Sequence, residues 1–336
     1  MTHDAPQTQK NSRKESTLGA PEARGPPLHV TREPPRDRSV ERMLQLRNLD
    51  KSYGTHQVLT DVSFDVLPGR LTGFVGGNGA GKTTTMRIVL GVLAADAGTV
   101  TLDGAALGTD DRRRFGYMPE ERGLYPKMKV LEQIVYLARL QGYSKSAATD
   151  AAAALLERLG LGERLGDNVE TLSLGNQQRA QIAAALVHDP DVLILDEPFS
   201  GLDPIAVDAV AGVLQERAAA GTAVLFSSHQ LDLVERLCDD LVIIAEGSIR
   251  AAGDREALRA QHSTKRYELV STGDARWLRT EQGVQIVGFD GDSAVFEVDS
   301  DQTAQRILRE AVARGDVGSF APQHPTLAQI FREVIR

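Results

Sequence analysis

The 336-residue sequence holds a single cysteine, Cys238, and one tryptophan, and only 5% of its residues are aromatic. One thiol can build neither a disulfide framework nor a cysteine zinc site, so both are excluded. No run of 18 apolar residues occurs, which leaves no segment of the kind that crosses a bilayer as a helix. The N-terminus is polar and lacks the apolar stretch of a secretory signal, so the chain is expected to stay in the cytoplasm. Positive charge is also scarce: 38 Lys and Arg against 46 Asp and Glu give −8. A chain built to coat nucleic acid has the opposite balance, and no nucleic-acid partner is expected. What remains is globular composition, 41% hydrophobic and 25% charged, at a length that suits about two domains.

Texture divides the chain. Residues 1–42 carry six of the 14 prolines, eight basic and six acidic residues, and almost no apolar periodicity. Such a segment buries too little surface to offset chain entropy, and a disordered extension is expected. From Leu44 a strand-turn-strand pattern begins, and Val62, Phe64 and Val66 alternate before the Pro68-Gly69 turn. Leu71–Val75 reads as a buried strand running into a glycine-rich loop, with helical character over Thr83–Leu93. Helices are predicted near 129–141 and 146–159, the first with a stripe of Leu131, Ile134, Val135 and Ala138. Strand and helix then alternate: 191–195, 204–219, 222–227, 230–237 and 240–245. An α/β sheet with a helical insertion, about 121–175, is the expected fold for 43–263. Residues 264–336 read as a small α+β unit, with strands at 267–270, 284–287 and 294–298 and helices at 302–313 and 326–335.

The chemistry begins at Gly76-Gly-Asn-Gly-Ala-Gly81-Lys82-Thr83, which fits G-x-x-x-x-G-K-[ST] between a strand and a helix. Glycines let successive backbone N–H groups turn inward onto phosphate oxygens. The following helix adds the positive end of its dipole. Lys82 brings a point charge to the outer phosphates, and the Thr83 hydroxyl is placed to ligate Mg²⁺. A second element is Asp191-Val-Leu-Ile-Leu-Asp196-Glu197, a buried run that ends in two carboxylates. It would deliver Asp196 toward the metal and leave Glu197 at the rim, where a carboxylate can act as general base on water. Leu172-Ser-Leu-Gly-Asn-Gln-Gln-Arg179 precedes a helix, and Ser227-Ser-His229 closes a strand within reach of a γ-phosphate.

With these motifs in this order, residues 43–263 resemble the ATP-binding subunit of an ABC (ATP-binding cassette) transporter. The resemblance implies a P-loop NTPase cassette: a RecA-like α/β core with antiparallel β and α-helical subdomains, here followed by the C-terminal α+β domain. It implies ATP and Mg²⁺ as ligands. ATP would be held by Tyr53, Gly76, Gly77, Asn78, Gly79, Ala80, Gly81, Lys82, Thr83 and Thr84, with Tyr53 stacked on adenine. Glu197 and His229 would be catalytic, the latter holding the γ-phosphate. Thr83, Glu120 and Asp196 would face the metal. Ser173, Leu174, Gly175 and Asn176 would complete the site of a second cassette, and Asp203 would lie at the seam.

Two departures stand out. The family signature commonly reads Leu-Ser-Gly-Gly-Gln, whereas Leu174 and Asn176 occupy its third and fifth positions here. Ser173 and Gly175, which carry the hydroxyl and a backbone donor, are kept. Glu120 stands where a glutamine is usual; a carboxylate also ligates Mg²⁺ but adds negative charge beside the phosphates. The segment Pro119–Pro126, the Leu-Gly-Asn-Gln-Gln run and the 325–331 segment resemble the sodium- and drug-exporter branch. The implied function is ATP hydrolysis that energises an export complex. It would act as a dimer with itself or a related cassette, on a separately encoded membrane-spanning permease, at the inner face of the cell membrane. Soluble relatives of translation and DNA repair have paired cassettes or a long coiled coil, and neither is present. An Asn-Lys-x-Asp guanine-reading motif is absent too.

Overall fold

The computed structural model describes Met1 and residues 42–121, 123–261, 265–272, 274–290, 292–323 and 326–334. The expected disordered extension, the 263/264 boundary, Arg122 and Pro325 therefore lie outside the described residues, apart from Met1 and Arg42.

In chain order, the hairpin β1 (Leu44–Tyr53) and β2 (His56–Val66) leads into β3 (Leu71–Val75) and, past the glycine loop, α1 (Lys82–Val89). Then come β4 (Ala97–Leu102), β5 (Ala105–Ala106), α2 (Thr109–Arg112) and β6 (Phe115–Met118). Three helices follow: α3 (Val130–Leu140), α4 (Lys145–Arg158) and α5 (Leu174–Leu186). Alternation resumes with β7 (Val192–Leu195), α6 (Pro204–Ala219), β8 (Ala223–Ser228), α7 (Leu231–Leu237), β9 (Asp240–Ala245), β10 (Ser248–Asp254) and α8 (Arg255–Gln261). The last part comprises β11 (Arg266–Ser271), β12 (Val284–Asp290), β13 (Ser293–Val298), α9 (Asp301–Arg314), β14 (Val317–Gln323) and α10 (Leu327–Val334).

Three sheets form among the described residues. The central one has order β10-β9-β3-β8-β7-β6, parallel except for β10. An antiparallel sheet, β2-β1-β4-β5, lies beside it, and β12-β13-β11-β14 forms the C-terminal one. Strand β3 explains the layering: all five of its residues are buried, but its alternation serves two cores. Leu71 and Val75 join the helix-side cluster with Leu193, Leu214 and Phe226. Phe74 joins the cluster shared with the antiparallel sheet, its ring 5.2 Å from that of Phe64. Burying each such phenylalanine contributes on the order of 2–3 kcal/mol.

Helices α3, α4 and α5 lie between β6 and β7. The buried face of α3 is Val130, Gln133, Ile134 and Ala138, while Leu131 and Val135 are half-buried at its margin. The packed face is thus centred one residue earlier than the sequence pattern suggests, because α4 and α5 both lean on it. Side-chain caps start the helices cleanly: Ser144 begins α4, Ser173 α5, Asp203 α6 with Pro204 in its first turn, and Ser300 α9. The helix predicted at 83–93 stops at Val89, where Gly91 adopts a φ of 71° and turns the chain. No helix among the described residues is long and apolar enough to cross a membrane.

The last helix departs from the sequence-based grouping. Although α10 follows the C-terminal sheet in the chain, Leu327 and Ile330 are buried in the cassette's helix-side cluster, with Leu233, Val234 and Leu258. The C-terminal sheet keeps its own core around Leu269, Phe296 and Ile307.

Candidate functional site

The carboxyl ends of three adjacent parallel strands meet at one place, the crevice where open α/β sheets bind ligands. Strand β3 runs into the Gly76–Thr83 loop, β7 into Asp196-Glu197, and β8 into Ser228-His229. Gly81 shows why the loop needs glycine. Its φ is 109°, and an added Cβ would sit 2.5 Å from Leu59 Cδ2. At Gly77 and Gly79, by contrast, an added Cβ would meet nothing within 4 Å, so space is open there. Lys82, 8% exposed, donates through Nζ to the carbonyls of Gly76 at 2.8 Å and Gly77 at 3.2 Å. The loop thus folds around its own ammonium group.

A hydrogen-bonded chain joins the predicted residues. Thr83 Oγ1 donates to Asp196 Oδ2 at 2.8 Å, and Ser227 Oγ donates to Asp196 Oδ1 at 2.6 Å. The same Ser227 oxygen accepts from the Glu197 amide at 2.8 Å. His229 Nδ1 is 2.9 Å from Glu197 Oε2. Against a carboxylate Nδ1 is the donor, so the ring offers a second donor at Nε2 only when doubly protonated. Glu197 holds a φ of 51°, a left-handed backbone that costs a non-glycine residue roughly 1–3 kcal/mol and here turns its carboxylate toward His229. Asp196 is 1% exposed and takes both of its hydrogen bonds from hydroxyl groups.

The donor set at the first turn of α1 suits a hard divalent cation: a hydroxyl and a carboxylate oxygen side by side, within reach of a phosphate loop. Thr83 and Asp196 would hold it. Among the described residues no group of three or more His, Cys, Asp and Glu could bind a metal unaided. Glu120 is exposed on the loop after β6; Gln181 Nε2 holds that loop through the carbonyls of Pro119 at 2.8 Å and Glu121 at 3.0 Å.

Tyr53 ends β1 and is 52% exposed, an open ring available for stacking. Asp96 supports this corner by accepting from Lys51 Nζ and the Ser52 amide, both at 2.7 Å, and Lys51 Nζ stands 5.7 Å from the Tyr53 ring centre. Those donors hold the Asp96 carboxyl below its ordinary pKa.

The signature residues stand apart. Ser173 caps α5 by accepting from the Asn176 amide at 3.3 Å, and Leu174 is 59% exposed. The Asn176 side chain is tied to Arg179, which also donates to the Leu159 carbonyl at 2.8 Å. Asp203 caps α6 through the Ala206 amide at 2.8 Å. Among the described residues no hydrogen bond or ion pair joins Ser173–Asn176 to the phosphate loop.

Residues 59–200 match the ABC transporter family model, and residues 253–335 match the C-terminal domain of DrrA1-3-like ATP-binding proteins. The ABC transporter ATP-binding protein YhaQ of Bacillus subtilis is 35% identical over 293 residues, spanning 87% of this chain and 98% of that protein. The chain belongs to the ABC transporter ATP-binding subunits. This subunit is also similar to the linearmycin resistance ATP-binding protein LnrL of Bacillus subtilis, 35% identical across 64% of this chain and 70% of LnrL. A Nod factor export ATP-binding protein of Burkholderia orbicola is 40% identical across 64% of this chain and 72% of its own. A solved ATP-binding subunit of an ABC transporter shares the fold at TM-score 0.61 and 33% identity, covering 65% of this chain and 92% of that one. Members of the family hydrolyse ATP to power transport, and the cassette fold, ATP binding and the ATPase activity expected from the sequence stand on these findings.

Three residues of this cassette have bracing roles that the motifs did not assign. Ser227 braces both acidic residues, Gln178 donates to the Glu197 and Pro198 carbonyls, and Asp96 supports Tyr53. Ser227 lies two residues before His229 and Gln178 within the Leu172–Arg179 run, whereas Asp96 had no motif to mark it. Ser227→Ala would leave the Glu197 amide without its acceptor. We expect turnover to fall about tenfold, with ATP affinity within about twofold, in paired ATPase and nucleotide-binding titrations. An unchanged rate would show that Ser227 does not position Glu197.

Proposed function

We propose that this subunit energises an export complex, and that two cassettes sandwich ATP between the phosphate loop of one and Ser173–Asn176 of the other. The observation that carries this reading is the separation within one chain. Thr83, Asp196, Glu197 and His229 form one bonded array through Ser227, while among the described residues no hydrogen bond or ion pair joins Ser173–Asn176 to the phosphate loop and Leu174 is exposed. Each active site then needs a second copy or a related cassette. Asp203, at the start of α6, lies on the same seam: Gly175 packs close to the Gly201 carbonyl just ahead of it.

In the assembled site Tyr53 stacks on adenine, residues Gly76–Thr84 cradle the phosphates, and Lys82 neutralises the outer ones. Thr83 and Asp196, with Glu120, would hold Mg²⁺, which would neutralise charge on the phosphate oxygens. Glu197 takes a proton from the water that attacks the γ-phosphorus. The bond from that phosphorus to the bridging oxygen breaks, releasing ADP and inorganic phosphate. His229 holds Glu197 in place and, when doubly protonated, contacts the γ-phosphate as well. A separately encoded permease spans the membrane, and the subunit sits peripherally on its cytoplasmic face. The export direction is supported by a relative named for Nod factor export.

The specific ATPase rate is expected to rise with subunit concentration and then saturate, and a multi-span membrane protein should co-purify from detergent extracts. A rate per molecule independent of concentration, or co-purification with ribosomes or DNA instead, would overturn this reading.

A further inference from the structure

The residues after the C-terminal sheet return to the helix-side core of the cassette. Helix α7 begins two residues after His229, and it is wedged between two neighbours. On one side Val234 and Cys238 press on β3 so closely that a Cβ at Gly73 would lie 2.6 Å from Val234 Cγ1. On the other side lies α10, with Leu327 and Ile330 each 1% exposed. A single carboxylate ties the two helices together. Glu235, on α7, accepts from the Leu327 amide at 3.2 Å through Oε2 and binds the Arg259 guanidinium through Oε1. Its backbone carbonyl accepts from Arg255 at 2.5 Å.

The Glu235 bond is suited to its place. Leu327 is the first residue of α10, where backbone N–H groups have no partner within the helix and the dipole favours a negative charge. Thr326 and Gln329 supply a reciprocal cap, each side chain accepting from the other's amide. Glu235 therefore completes the N-terminus of α10 from a different part of the fold. None of this is required to bind a phosphate, yet all of it bears on the helix that carries His229 at its entrance.

We propose that Glu235 is a positioning residue for hydrolysis. By docking α10 on α7 it fixes the His229–Glu197 pair, so that the C-terminal region sets the turnover rate of the cassette. The proposal rests on the assignment of Glu197 and His229 as the hydrolytic pair. It makes the catalytic step, and not nucleotide affinity, sensitive to whatever moves α10.

The test is steady-state ATPase of the full chain at saturating subunit concentration, with nucleotide binding and amide hydrogen exchange measured on the same samples. Glu235→Ala should lower kcat about fivefold with KM for ATP within about twofold, and exchange should quicken in both 231–237 and 327–334. Glu235→Gln keeps an acceptor for the Leu327 amide and should restore kcat to within about twofold. Ile330→Asp, which undocks α10 without touching Glu235, should reproduce the loss of kcat. Unchanged kcat in variants whose 327–334 amides have been released would overturn the proposal. So would a loss of kcat accompanied by loss of ATP binding, which marks a merely structural role. His229→Ala serves as the reference. If it keeps the full rate, the underlying assignment has failed; if it is inactive while released variants are fully active, only the role of Glu235 has failed.

Discussion

Glu197→Gln is expected to hydrolyse ATP at least about a hundredfold more slowly than the unaltered subunit while binding it undiminished. The amide matches the carboxylate in size, so the left-handed backbone at this residue and the bond from its amide to Ser227 can both persist. The side-chain oxygen can still accept from His229 Nδ1. What disappears is the capacity to take a proton from water. Because ATP then stays intact, the closed dimer should accumulate on adding ATP and Mg²⁺, visible as an earlier-eluting species in size-exclusion chromatography. Hydrolysis at the normal rate would remove Glu197 from the role of base.

Lys82→Ala should abolish hydrolysis by the opposite route, raising the ATP dissociation constant on the order of tenfold to a hundredfold. The ammonium group is buried against the Gly76 and Gly77 carbonyls, so its loss leaves the loop without its cationic centre and those carbonyls without their donor. Calorimetric titration with ATP separates the two variants: turnover is lost or severely slowed in both, but only Lys82→Ala binds ATP more weakly. Unchanged affinity in Lys82→Ala would show that backbone amides and the helix dipole hold the phosphates by themselves.

Legibility in the sequence followed burial. Strands β3, β7, β8 and β9 are almost wholly buried and read as apolar runs of the right length. Helices α3 to α6 were visible for the related reason that each has a packed face or a side-chain cap. Strands β4, β10 and β14 gave no such signal. Ala97–Leu102 is mostly exposed, Ser248–Asp254 borders the central sheet with polar and small residues, and Val317–Gln323 contains glycine and proline. Their pairing comes from neighbours distant in sequence, and one sequence does not display it. At the site, Thr83, Asp196, Glu197 and His229 each lie within a recognisable motif, and the fold brings them into one bonded array. Ser227, Gln178 and Asp96 act by bracing, which depends on three-dimensional placement and has no spacing rule. The destination of α10 was hidden likewise: its apolar stripe shows that it packs, but not on what.

That destination also sets a schedule for synthesis. The amide of Leu327 and the carboxylate of Glu235 are separated by 92 residues. At ribosomal speeds of about 5–20 residues per second, α7 emerges roughly 5–20 s before its cover. Throughout that interval the face of α7 opposite β3 lacks the cover that Leu327 and Ile330 provide. The cassette core therefore closes only after the C-terminal sheet has been made, which couples the maturation of the two parts in time as well as in space.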